Sequence, residues 1–219
     1  MSARSVRRIK IKPVTISKGI HLTIIDTMDV FAEKFENIDL HGKKITKAEF
    51  DDCTFVSCDF SETFFSSCKF TECRFENCNL SLMKLTSSKM SDVEFVSCKM
   101  IGIDWTMADW KSLLNADPIR FRECILNDSN FFGLNLEGLI MKECRAKEVD
   151  FRNGSFIKAD FSGSDFKGAL FGNNHLEGAN FTDTSNTMID VRSNHLKGAI
   201  FNRYEALFLL ESMGIVLVD

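Results

Sequence analysis

Large apolar side chains recur at every fifth position along most of the chain. The first run reads Phe35, Leu40, Ile45, Phe50, Phe55, Phe60, Phe65, Phe70, Phe75, Leu80, Leu85, Met90, Phe95, Met100, Trp105 and Trp110. With 44% apolar residues overall, chance gives sixteen such positions in a row on the order of once in a million tries, so the period is a true internal repeat. The track shifts by one residue, resumes at Phe121 and runs by fives to Phe181, with Ala146 its one small centre. After Asn186 it picks up Val191, Leu196 and Phe201. Helices repeat near 3.6 and strands at 2, so neither element alone fits. The chain has to turn a corner at each repeat, so that every fifth side chain points at one axis. This predicts a solenoid whose core is a stack of inward residues.

A second register lies two positions before each centre. It holds all eight cysteines: Cys53, Cys58, Cys68, Cys73, Cys78, Cys98, Cys124 and Cys144. Elsewhere it holds Ala48, Val93, Ser129, Ala159, Ser164, Ala169, Ala179 and Ala199, so the position calls for a small inward side chain. The other three positions are mostly Asp, Glu, Lys, Asn, Ser and Gly, which suit solvent and turns. No Cys-X-X-Cys pair occurs, which speaks against a zinc site. The thiols read as small buried hydrophobes in a reduced, cytoplasmic protein.

The repeat resembles that of the pentapeptide-repeat family, whose unit is roughly Ala-Asp/Asn-Leu-X-X. The residues that carry the resemblance are Ala159-Asp160-Phe161-Ser162-Gly163, Ser164-Asp165-Phe166-Lys167-Gly168 and Ala179-Asn180-Phe181-Thr182-Asp183. It implies an all-β fold, a right-handed quadrilateral β-helix with four pentapeptides per coil. One internal repeat agrees with four sides: Asn174-His175-Leu176-Glu177-Gly178-Ala179 returns as Asn194-His195-Leu196-Lys197-Gly198-Ala199, twenty residues on. Thirty-three centres then make about eight coils, a rod of about 40 Å at about 4.8 Å per coil.

The expected organisation is a basic arm and first-coil cap (1–34), a first stack (35–110), an interruption (111–120), a second stack (121–201) and a C-terminal segment (202–219). From Trp110 to Phe121 is eleven residues, one more than two repeats, with Asp117-Pro118 as a turn signal. The arm carries Arg4, Arg7, Arg8, Lys10, Lys12 and Lys18 and no acid. Its Ile9, Ile11, Val14 and Ile16 alternate with charges as in a capping edge strand. A targeting or anion-binding arm is the alternative. Near the other end, Asn202 is the expected N-cap of a short helix, with Glu205 reaching back and Gly214 ending it. Ile215–Val218 then reads as a strand. This segment covers the open end, and the resemblance extends to a C-terminal homodimer. Tyr204, Phe208, Leu210, Met213, Ile215 and Leu217 are its expected contacts.

Nothing in the chain indicates catalysis, a cofactor or a metal centre. No nucleophile elbow, phosphate loop or Walker sequence occurs, and no apolar run is long enough to cross a membrane. His175 and His195 are expected to stack one coil apart as a solvated pair, with no acidic or thiol partner spaced to complete a metal site. Function then rests on the outer surface. Residues 21–110 hold 16 acids and 9 bases, while 111–219 hold 15 and 12, so direct binding of nucleic acid by the solenoid is disfavoured. The resemblance reaches the Qnr-type branch, which protects DNA gyrase and topoisomerase IV by mimicking DNA. The match includes the length and the ending Leu209-Leu210-Glu211-Ser212-Met213-Gly214-Ile215-Val216-Leu217-Val218. The alternative is a scaffold or effector with another protein partner. Candidate contacts outside the inward registers are Phe64, Phe132 and Ile140, with Leu113, Leu114 and Asp117 in the interruption.

Overall fold

The computed structural model describes residues 24–110, 119–216 and 218. The basic arm, Leu113, Leu114, Asp117 and Leu217 lie outside the described residues. Parallel ladders pair each residue with the one twenty positions on, as in Phe35 with Phe55 and Phe55 with Phe75. Four five-residue sides therefore close one coil. The faces are numbered here by their first centres: Ile25 (face 1), Val30 (face 2), Phe35 (face 3) and Leu40 (face 4).

The centres fill the core as the period requires. Phe65, Phe95, Trp105, Phe121, Phe131, Phe161 and Phe181 are all buried. On face 3, Phe35, Phe55, Phe75, Phe95 and Phe121 form one column of parallel rings, 4.6 to 5.4 Å between centroids. Rings on neighbouring faces meet edge-on, as Phe50 and Phe55 do at 5.5 Å. Offset and edge-to-face contacts are the favoured aromatic geometries.

The corners come in two kinds. In the closed kind, the centre's C=O accepts from the N–H three residues on, as in Phe156 from Ala159 and Leu176 from Ala179. The residue two after the centre has positive φ, which suits the type II turn and explains Gly163, Gly168 and Gly178 there. In the open kind, a three-residue strand runs through the centre and that bond is not made. Every cysteine follows an open corner. The side chain one coil on fills the gap: Cys78 Sγ donates to Phe55 O at 3.4 Å and accepts from Cys58 N at 3.4 Å. Cys98 does the same for Phe75 O and Cys78 N, and Ser88 for Phe65 O and Cys68 N. The register thus selects a small residue that can donate and accept. The expectation of a merely small hydrophobe missed this.

Three local expectations are corrected. The ladder offset across the interruption is 26, as in Phe95 with Phe121 and Asp104 with Asn130. The eleven residues from Trp110 to Phe121 are therefore one five-residue side plus a six-residue insertion. Near Asn186, Phe171 pairs with Ile189, and Ile189 rather than Val191 is buried. The register shifts by two residues there and returns to twenty at His175 and His195, while the exposed Asn186 bonds Asp165 at 2.7 Å. At the C-terminus, helix α1 spans Glu205–Ser212, and Asn202 does not cap it. Its side chain is drawn instead to Asp183 at 2.6 Å. Gly214, at φ 80°, ends the helix, with Ile215 N bonded to Leu210 O. Ile215, Val216 and Val218 form no strand, since no described neighbour pairs with them.

Candidate protein-binding surface

The ladder assigns the described charged side chains of the coils to faces, and the faces differ. Face 3 is self-neutralising. Arg74 bridges Glu76 and Glu94, Glu94 also holds Arg122 at 3.0 Å, Arg120 holds Asp92, and Lys142 holds Asp160 at 2.7 Å. Face 1 of the first stack is basic and aromatic: Lys44, Phe64 and Lys84 stand in one column, with Lys44 Nζ 5.5 Å from the Phe64 ring.

Face 2 of the first stack is acidic. Asp29 and Glu49 are in register, Asp51 flanks them, and Asp52, Glu72 and Asp92 line the following corner one coil apart. With Glu33 and Asp109, this face and its corner hold eight of the sixteen acids of residues 21–110, against Lys69 and Lys89. Asp29, Glu49, Asp51, Asp52 and Glu72 are exposed, with no ion pair among the described residues. Four coil steps span about 19 Å. Arg120 holds Asp92, so five net charges over that length give one per about 3.8 Å, a little under half the density of double-stranded DNA. Spread over four faces the charge would be more dilute still; gathering it on one face brings it to that level.

In the second stack some carboxylates are held by neighbouring cations. The Arg152 guanidinium, bonded to Asp150 at 2.7 Å, holds that carboxyl below its ordinary range. Partial burial pushes Asp160 up, but hydrogen bonds from Lys142 and Ser162 outweigh it and leave the group below its usual value.

The sequence-predicted contacts do not converge. Phe64 is half-buried in the first stack, while Phe132 is 45% exposed in the second, beneath Arg152. They share face 1 but lie three coils and a column apart. Ile140 is half-buried on face 3. Of the C-terminal set, Tyr204, Phe208, Leu210, Met213 and Ile215 are each exposed, just before, on and after α1, while Leu209 packs on the solenoid core. Leu207, Val216 and Val218 add to the same exposed apolar segment. The aliphatic run of 215–218 was the signal for the last two.

His175 and His195 stack as expected, rings 4.6 Å apart and 9° from parallel. Glu177 Oε1 lies 3.3 Å from His175 Nδ1, an acid the sequence analysis did not place beside the pair. On a strand, residues i and i+2 share a face, which was the legible signal. Among the described residues no group of three or more His, Cys, Asp or Glu is placed to hold a metal, and no helix is long and apolar enough to cross a membrane.

A four-sided parallel solenoid with an unpaired acidic wall and an apolar C-terminal helix defines a class that presents surface rather than a cleft. The pentapeptide repeat region family matches residues 48–117 and 115–181, more than half of the chain, and the protein belongs to that family. Among solved structures it is similar to a trypsin-treated form of QnrB1, a plasmid-mediated fluoroquinolone resistance protein. That match has 22% identity and a TM-score of 0.58, covering 89% of this chain and 100% of the other. Full-length QnrB1 matches at 21% identity and a TM-score of 0.51, covering 88% and 100%. HetL, a pentapeptide-repeat protein involved in heterocyst differentiation regulation from Nostoc sp. strain PCC 7120, matches at 15% identity and a TM-score of 0.40, covering 80% and 85%. No curated protein matches the chain.

Proposed function

We propose that the protein is a non-enzymatic binder of a DNA-handling enzyme, with DNA gyrase or topoisomerase IV as its partner. Face 2 of the first stack occupies the groove where the partner holds DNA. The observation that carries this reading is the unpaired acidic wall of Asp29, Glu49, Asp51, Asp52 and Glu72. A partner's lysines and arginines are attracted to a line of carboxylates as they are to phosphates, and such steering fades with salt. The solenoid body itself does not bind nucleic acid. The exposed residues of α1 meet a second copy, and the resulting homodimer doubles the length of the acidic wall. Its setting is the cytoplasm, where the thiols stay reduced.

Gyrase supercoiling, with and without a fluoroquinolone, across a titration of the purified protein tests this. Rescue from the drug at near-equal protein supports the reading. Inhibition only at large excess marks generic acidic competition, and no effect at any ratio removes gyrase as the partner. The second reading is a scaffold for another protein, favoured by the exposed Phe132 on face 1, outside the acidic wall.

A further inference from the structure

The paired histidines on face 2 of the second stack lie outside the acidic wall. His175 and His195 are bridged in register on adjacent coils, both exposed, with parallel rings 4.6 Å apart. Glu177 Oε1 accepts from His175 Nδ1–H, which leaves the Nε2 lone pair of that ring free to bind. A carboxylate behind a histidine is the usual outer partner of a metal-bound imidazole, because it fixes the tautomer and raises the ring's basicity. The other oxygen, Glu177 Oε2, is shielded from solvent and has no hydrogen-bond partner among the described residues. A carboxylate beside two imidazoles favours the arrival of a cation.

We propose that His175 and His195 form a two-point surface chelate for a borderline divalent transition-metal ion, of the class of Ni²⁺, Cu²⁺ or Zn²⁺, with Glu177 as the positioning residue.

Imidazole nitrogen suits these ions, whereas Mg²⁺ and Ca²⁺ take oxygen donors. Metal–nitrogen bonds of about 2.0–2.1 Å place two ligating nitrogens about 3 Å apart. The rings reach that spacing by tilting their outer edges together, and exposed side chains can do so without disturbing the core. No third ligand stands beside the pair among the described residues, so water completes the shell and the affinity stays modest. Lys197, two residues after His195 on the same face, opposes the cation, while Glu177 favours it. The chelate joins consecutive coils, so the ion also fastens the last coil to the one before it. Binding to the folded state alone raises stability by mass action.

The test is calorimetric titration of the tag-free full chain with Ni²⁺. The wild type is expected to bind at least tenfold more tightly than His175→Ala or His195→Ala, since each keeps one imidazole. Glu177→Gln is expected to weaken binding about tenfold, as outer-sphere substitutions do. Amide exchange in residues 190–201 is expected to slow with Ni²⁺ in the wild type and to stay unchanged in the double variant. All variants keep the eight cysteines, His21 and His41, so binding elsewhere registers as insensitive to the substitutions. Equal affinity in the wild type and the double variant, at unchanged circular dichroism, would overturn the proposal.

Discussion

The two stacks share one coil and one period, yet they hold their corners differently. In the first stack most centres sit in three-residue strands, and their corners stay open until a thiol or hydroxyl of the next coil bridges them. In the second stack most corners close on themselves through a turn, often with Gly at the positive-φ position and Ala after it. A corner closed by its own backbone does not depend on its neighbour. A corner closed by Cys78 does, because the thiol of the next coil supplies the bonds to Phe55 O and Cys58 N that the corner's own turn does not make. Backbone ladders join the coils of both stacks; side-chain bridges at the corners recur through the first and are fewer in the second, as at Cys144, Ser164 and Asn174. Charge pairing does not follow that division: the first stack holds both the exposed acids of face 2 and the ion-paired Glu76, Asp92 and Glu94, while Asp150 and Asp160 are engaged in the second.

The largest effect should be one that the stacks share. Phe95→Ala and Phe161→Ala each remove a fully buried ring from a column, and each is expected to cost about 3–5 kcal/mol in urea unfolding. A cost confined to one stack would show that the cores are not equivalent. The next effect separates them. Cys98→Ala leaves Phe75 O and Cys78 N without their bridge and is expected to cost about 1–3 kcal/mol, while Cys98→Ser restores the donor and recovers most of it. If Ala and Ser behaved alike at this position, the thiol would be mere filler.

Smaller effects sharpen the contrast at the corners. Gly178, at φ 69°, lies in a closed turn where an added Cβ meets only Lys158 Cγ at 3.5 Å, so Gly178→Ala carries the left-handed cost of about 1–2 kcal/mol. Glu72, at φ 52°, already bears that cost, and Glu72→Gly is expected to gain up to about 1 kcal/mol. Thermal unfolding of the two variants should move in opposite directions. The smallest effect concerns acid. Asp150 is held below its ordinary value in the folded protein, so its contribution is present above the unfolded value near pH 4. It is lost as pH falls through the lower folded value. Asp150→Asn should make the loss of stability below pH 4 shallower than in the wild type.

Much of this architecture was legible because its period is simple. Five-residue spacing from Phe35 to Phe201 fixed which side chains point inward, and the twenty-residue echo of Asn174–Ala179 pointed to four sides. The small register was legible as a place, but its hydrogen-bonding role was not. That role emerges only when residue 78 is stacked over 55 and 58, which no local window shows. Irregular places resisted for the same reason. Ile189 replaces Val191 in the core because the register with the coil beneath shifts by two residues at Phe171 before returning to twenty. The acidic wall was visible only as an excess over residues 21–110. Its placement on face 2 needed the ladder, and so did the distance between Phe64 and Phe132. Glu177 beside His175 could have been found from strand alternation alone.

The most direct test of the functional account compares two neutralised surfaces of equal size. Glu49→Gln, Asp51→Asn, Asp52→Asn and Glu72→Gln together remove four charges from face 2 of the first stack. Asp128→Asn, Glu137→Gln, Glu143→Gln and Glu148→Gln remove four from the second. Gyrase supercoiling in the presence of a fluoroquinolone should be rescued by the wild type and by the second-stack variant, and not by the face 2 variant. Equal loss of rescue in both variants would mean that total charge matters and the wall does not. Full rescue by the face 2 variant would contradict the assignment of this face.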